Sequence, residues 1–209
     1  MHGAIFDLKN TFDDYKAIMN YARITPPEIK ENYVDIAGGD SSIDLTEAVG
    51  GVRFNDGKIE FMFTFNDPES KDEMKNDLHG KRLKITLERD PDYFYDGRLS
   101  FTKEERNGSL YELYMSATVK PYKYEKNVTI HRETLSGNEK EIIIPNSRMP
   151  VMPRITVTGN VFLMYDGIGY AMQSGTYEIA EVTFYEGYNR MKVSGNGTIQ
   201  FEYRKGRII

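Results

Sequence analysis

The sequence predicts an all-β protein carrying one short helix in its first part. Three observations lead there. Apolar residues recur at every second position over most of the chain, turn dipeptides punctuate it at short intervals, and a helical period occurs only once. With 209 residues, the chain can form one large β-domain or two ordinary ones.

Taken in order, Lys58-Ile-Glu-Phe-Met-Phe-Thr-Phe-Asn66 places Ile59, Phe61, Phe63 and Phe65 on one strand face, with Asn55-Asp-Gly57 before it as a hairpin turn. Pro68 to His79 reads as the helix. It opens on proline and acidic residues, stops at Gly80, and puts Met74 and Leu78 one turn apart on its inner face. Lys81–Glu88 alternates again through Leu83, Ile85 and Leu87. Asp96-Gly97 is expected to open a strand through Lys103, and Asn107-Gly108 to turn it into Leu110–Val119.

A boundary is expected after Pro121-Tyr-Lys-Tyr124, dividing the chain into 1–125 and 126–209. The second part is a series of short strands: 141–144, 154–158, 160–165, 175–179, 181–184, 190–193 and 198–203. Asp166-Gly167, Ser174-Gly175 and Asn196-Gly197 stand as turns, at about the 8–12-residue spacing of a small sandwich.

Composition narrows the function. The formal net charge is -5 and no Lys/Arg block is present, which argues against a sequence-specific nucleic-acid surface. No cysteine occurs, so disulfides, thiolate metal sites and a cysteine nucleophile are excluded. The first residues do not read as a signal peptide, and no window reaches the roughly 18 apolar residues of a membrane span. The expectation is a soluble protein made in a cytoplasm, without membrane insertion.

Candidate chemistry is thin. Asp90-Pro-Asp-Tyr-Phe-Tyr-Asp-Gly97 echoes a calcium loop, but Phe94 occupies a ligand position and Phe101 stands where the bidentate glutamate belongs. The run reads instead as a turn with a tyrosine-rich middle. His2, His79 and His131 lack ligand spacing, and His79 beside Gly80 suits a helix C-terminus. Gly38-Gly-Asp-Ser41 and Val49-Gly-Gly51 match neither a phosphate-binding loop nor a dinucleotide fingerprint. Tyr165, Tyr170, Tyr177, Tyr185 and Tyr188 could furnish a sugar-stacking face, although tryptophan is absent and such tyrosines more often serve a core or rim. No catalytic, cofactor-binding or metal-ligating residue is assigned, and binding residues are not specified.

The busiest stretch is Tyr33 to Gly51, with Asp35, Asp40, Asp44 and Glu47 among two Gly-Gly pairs. It reads as a strand over Tyr33–Ala37, a tight turn over Gly38–Ser42 in which Asp40 and Ser41 bond locally, and an exposed arm over Ile43–Ala48. Asp44, Thr46 and Glu47 form a solvated or subunit-facing edge. Pro26-Pro-Glu-Ile-Lys-Glu-Asn-Tyr-Val-Asp-Ile-Ala-Gly-Gly-Asp-Ser-Ser-Ile-Asp-Leu-Thr-Glu-Ala48 resembles the N-terminal signature of phage distal tail (Dit) proteins of Gram-positive hosts. Leu78–Ile85, Asp90–Arg98 and Pro121–Glu125 resemble its later landmarks. Ser174–Ile179, Glu186–Asn189 and Gly195–Gly206 resemble its C-terminal hairpins. Ala37 replaces the usual proline, and Ser41-Ser42 the usual Asp-Gly, which bears on the turn geometry.

The resemblance covers nearly the whole chain. It implies a sandwich or split-barrel first domain and a small galectin-like or jelly-roll second one. It implies a structural, non-enzymatic virion protein at the distal end of a long non-contractile tail, from a phage or prophage. Six copies would form a ring through the first domain, joining the major tail tube protein to tail-associated and tail-tip proteins. DNA and the tape-measure protein would pass through it, and no cofactor is implied. Two rivals are a carbohydrate-binding module using the second domain on host-wall sugars and an enzyme acting on wall polysaccharide.

Overall fold

The computed structural model describes residues 3–48 and 50–209. Two compact units emerge, Met1–Lys123 with Ile208–Ile209, and Tyr124–Arg207. The first contains β1 (Ala4–Phe6), β2 (Lys9–Asn10), α1 (Thr11–Tyr15), β3 (Ile18–Thr25), β4 (Tyr33–Asp35), β5 (Ser42–Asp44), β6 (Gly57–Phe65), α2 (Pro68–Leu78), β7 (Arg82–Leu87), β8 (Tyr93–Asn107) and β9 (Leu110–Glu125). Its main sheet runs β2-β1-β7-β8-β9-β6-β3, while β4 and β5 form a separate two-stranded sheet.

The alternation in β6 builds the core. Ile59, Phe61 and Phe63 face Ala117, Met115 and Leu113 of β9 in register, and all are buried. Phe61 stacks on Phe63 at 5.9 Å and meets Phe6 edge-on at 5.8 Å. Each such side chain contributes about 1.5–3 kcal/mol on burial. Helix α2 forms as its sequence dictates: Asp67 caps it by accepting from the Ser70 N–H at 2.8 Å, Pro68 opens it, and Met74 and Leu78 are buried.

The expectation of one helix is corrected by α1. Asn10 caps it, its side chain accepting from the N–H groups of Phe12 and Asp13, and Lys16 closes it at φ 55°. One turn is too short to show a hydrophobic period, and local capping fixes it. Tertiary bonds then clamp α1 to α2. Asp77 accepts from Lys9 at 2.5 Å, from Lys81 at 2.8 Å and from the Tyr15 hydroxyl. Lys81 first, then Lys9 and Tyr15, hold the Asp77 carboxyl well below the usual carboxylate range, while burial and then Asp77 push the Tyr15 phenol up.

A depressed folded-state pKa stabilises above the unfolded value, near 3.8, and that contribution disappears as pH falls through the folded value. Asp77→Asn is expected to cost about 1–2 kcal/mol at neutral pH. Thermal melts of both proteins from pH 7 downward should converge in acid, where the wild-type carboxylate is itself being protonated. A constant offset across that range would rule the clamp out.

The second unit contains β10 (Thr129–Asn146), β11 (Arg154–Tyr165), β12 (Ile168–Met172), β13 (Gly175–Glu178) and β14 (Gly187–Tyr203), ordered β10-β14-β11-β12 with β13 beside β11. The chain closes with β15 (Gly206–Ile208), and the Ile209 N–H, back in the first unit, donates to the Pro121 carbonyl at 3.3 Å. Leu163, Val193, Ile199, Phe201 and Phe184 lie at the core of the second unit.

Several expected breaks are continuous strand. Residues 154–158 and 160–165 belong to β11, and 190–193 and 198–203 to β14. Asn196-Gly197 is no turn: Gly197 has φ +144°, and a Cβ there would lie 1.8 Å from the Thr158 carbonyl oxygen. Asp96-Gly97 likewise sits inside β8, where a Cβ on Gly97 would meet Val119 at 2.5 Å. Both glycines are required by close backbone approach rather than by chain reversal. Residues 181–184 are not a strand: they follow the turn at Ala180-Glu181 and hold one bridge, Val151 to Phe184, and the first half of β10 escapes sequence detection because its polar and apolar positions are mostly exposed. Asp166-Gly167 does turn β11 into β12, with φ 48° and 77°.

Candidate functional site: a two-faced acidic arm

Between β3 and β6 the chain leaves the main sheet. Ile29 bridges Phe54, the Lys30 N–H donates to the Arg53 carbonyl at 2.9 Å, and the Asn55 N–H donates to the Glu28 carbonyl at 2.8 Å. Asn55-Asp-Gly57, expected as a hairpin turn, is therefore the returning side of this ladder. Beyond it, Tyr33 pairs Asp44, Val34 pairs Ile43 and Asp35 pairs Ser42. The strand expected over 33–37 is shorter, ending at Asp35, and the arm begins before Ile43 instead of at it.

Local bonds close the turn between the two strands. Gly38 has φ +81°, the Gly39 N–H donates to the Ile36 carbonyl at 3.0 Å, and Ser42 Oγ donates to Asp35 Oδ1 at 2.6 Å. The clasp thus comes from Ser42 and Asp35, rather than from Asp40 or Ser41. Asp44 accepts from the Thr46 N–H at 2.9 Å, and these Thr46 bonds hold its carboxyl below the usual range. Thr46 also accepts from the Asn32 N–H at 3.1 Å.

Every residue from Glu28 to Asp44 is exposed. Alternation along the paired strands sorts them by face. Val34, Ile36 and Ile43 share one side, and Tyr33, Asp35, Ser42 and Asp44 the other. On the second side, Tyr33 and Asp44, with Ile29, Glu31, Thr46, Glu47 and Val52, shape a hollow of about 260 Å³. Asp44 first and then Glu31 push the Tyr33 phenol up. From residue 28 to residue 56, Glu28, Glu31, Asp35, Asp40, Asp44, Glu47 and Asp56 stand against Lys30 and Arg53, a net -5 equal to the formal charge of the entire chain. Outside the arm, charges balance.

The other sequence candidates are dispersed. Asp90 pairs with Lys123 and Asp96 with Arg82, so the calcium-like run does not converge. Its tyrosines lie in β8, not in a turn, with Tyr95 buried. His79 caps α2, and its Nδ1 accepts from the Phe101 N–H at 3.1 Å. His131 lies in β10 beside Glu133 at 3.1 Å. His2, and Val49 of the Val49-Gly-Gly51 run, lie outside the described residues. Among the described residues no group of three or more His, Cys, Asp or Glu could hold a metal ion, and no helix is long and apolar enough to cross a membrane.

Tyr165 is buried, Tyr170 and Tyr177 are half-buried, and Tyr185 and Tyr188 stand 60% and 77% exposed. Sequence reasoning missed what presents the last two. Asn189 is buried; its Oδ1 accepts from the Tyr185 N–H at 2.9 Å and the Tyr165 hydroxyl at 3.1 Å. Its Nδ2 donates to the carbonyls of Tyr185 at 3.0 Å and Ile144 at 3.2 Å. The Asn189 amide thus ties the Tyr185 backbone to β10 and β11, with both tyrosine side chains outside.

No family model and no curated protein matches the sequence. Among solved structures, the SPP1 Dit (gp 19.1) protein, described as a paradigm of the hub adsorption apparatus in Gram-positive infecting phages, superposes with a TM-score of 0.72. The match covers 98% of this chain and 99% of that one, at 14% identity. The chain has the Dit fold. The likeness to Dit spans both units, so the all-β expectation and the resemblance carried by the sequence landmarks agree with the three-dimensional match.

Proposed function

We propose that this protein is a structural component of the distal tail of a long-tailed phage or prophage. In this reading six copies form a ring through the first unit, and the ring joins the tail tube to the tail-tip and host-adsorption proteins. The full-length fold match to a hub adsorption protein carries the proposal. The arm supports it, because a two-stranded hairpin with apolar side chains on solvent is marginal alone and gains by being covered in an assembly. A heterologous contact between copies closes into a ring where the rotation between them closes.

Light scattering with negative-stain microscopy of the full chain tests it. A six-fold ring with an open centre is the expected result. A strict monomer, alone and with tail-tube and tail-tip proteins, would refute it.

Tyr185 and Tyr188 favour a second role for the second unit, adhesion to host-wall sugars, since exposed aromatic rings suit stacking on pyranose faces. Replacing both by alanine in the full chain is then expected to weaken cell-wall pull-down by about tenfold or more, given about 0.5–1.5 kcal/mol for each aromatic contact. Equal retention by both proteins would remove this role.

A further inference from the structure

The tip of the β8–β9 hairpin and the middle of β14 carry the same dipeptide in opposite settings. Asn107-Gly108 and Asn196-Gly197 are the two Asn-Gly pairs of the chain. In such a pair the asparagine side chain is open to attack by the next backbone nitrogen, because glycine has no side chain to obstruct the approach and turns freely. The attack needs solvent, a nitrogen outside the strand ladder, and freedom for the peptide between them to rotate. Strand pairing denies the last two to Asn196. It lies opposite Ser136 of β10 and Asn160 of β11, and Gly197 lies opposite Leu135 and Gly159. A strand paired on both sides cannot rotate one peptide without breaking its ladders.

At Asn107 all three conditions hold. Asn107, Gly108 and Ser109 are exposed, and the last two stand in a turn outside the strands. Nothing lies within 4 Å of where a Gly108 Cβ would be. Arg106 Nε donates to the Gly108 carbonyl at 3.1 Å, which leaves the nitrogen untouched. The amide itself has a task. Asn107 Nδ2 donates to Glu112 Oε1 at 3.2 Å, and Glu112 Oε2 accepts from the Tyr114 hydroxyl at 3.1 Å. Glu112 first, then burial and Glu105, push the Tyr114 phenol up, so two carboxylates already act on one hydroxyl. Lys103 offsets Glu105 at 2.5 Å, while the Asn107 amide supplies a donor to Glu112.

We propose that Asn107 is a site of spontaneous deamidation, and that its conversion loosens the tip of the β8–β9 hairpin as the protein ages. Hydroxide removes the Gly108 amide proton, and the nitrogen bonds to Asn107 Cγ. The Cγ–Nδ2 bond breaks, Nδ2 takes a proton from water and leaves as ammonia, and a succinimide ring is closed. Water then opens the ring at either carbonyl carbon. Opening at Cγ gives aspartate. Opening at the backbone carbonyl gives isoaspartate, whose chain runs through Cβ and Cγ and is longer by a methylene group. Either product replaces a donor with a carboxylate facing Glu112, beside Glu105. Like charges gathered on neighbouring strands destabilise their pairing.

Peptide mapping by mass spectrometry tests the site in the full chain, held folded in mildly alkaline buffer at physiological temperature. Asn107 is expected to convert at least about 100-fold faster than Asn196, which reacts only when β14 opens. In urea the two should convert at similar rates, showing that the fold and not the dipeptide separates them. Gly108→Ala should slow the reaction by placing a methyl group beside the attacking nitrogen. Asn107→Asp supplies the aspartate product directly. Hydrogen exchange across residues 103–114 is expected to be about tenfold faster in this variant than in the wild type, and adding Glu112→Gln should restore most of the protection. Equal rates at Asn107 and Asn196 in the folded chain would refute the site. Wild-type exchange in Asn107→Asp would refute the loosening.

Discussion

Gly197→Ala is expected to unfold the second unit while the first keeps its own transition. At φ +144° an L-residue is strained by about 1–3 kcal/mol, and the added Cβ would lie 1.8 Å from the Thr158 carbonyl oxygen, against backbone that cannot swing aside. Together these cost about 3–5 kcal/mol, comparable to the whole stability of a domain this small. Calorimetry should show the second unit's transition lowered by about 15–25 °C or lost. Gly38→Ala is the contrasting variant: its φ is also positive, but nothing lies within 4 Å of the new Cβ. It should cost only about 1 kcal/mol. Equal, small effects at both positions would show that β11 and β14 do not approach as described.

Val34→Asp with Ile43→Asp is expected to abolish assembly without lowering the melting temperature by more than a few degrees. These side chains form the apolar face of the arm, both are nearly half exposed, and no core lies beneath them to lose. Placing two carboxylates where a partner excludes water costs several kcal/mol in the assembly, and almost nothing in the free chain. Sedimentation at increasing concentration reads the first effect and thermal melts the second. A large loss of thermal stability would mean that the arm is packed on its own unit, and unchanged assembly would mean that its apolar face stays in solvent.

Legibility followed the physics of each segment. The face of β6, helix α2 and the Asp166-Gly167 turn could be read directly, because burial on one side leaves a periodic trace and a tight turn needs special backbone angles. Gly97 and Gly197 misled for one reason: a glycine beside Asp or Asn signals a turn in one dimension, whereas here each makes room for a neighbouring strand distant in sequence. The acidic richness of the arm was visible, but its division into an apolar and an acidic face depends on the Val34–Ile43 register, which no linear pattern specifies. The order of landmarks along the chain carried the resemblance to Dit proteins, where no single motif did.

The return of the chain to its starting unit has an evolutionary consequence. The second unit is entered at Tyr124 and left at Arg207, and just inside it the Glu125 N–H donates to the Lys205 carbonyl at 3.0 Å. Its two ends are thus tied side by side, like the base of a hairpin. Any module with adjacent termini could be exchanged at that junction without re-threading the first unit, so recombination is free to swap the sandwich as a cassette while everything upstream keeps its sequence.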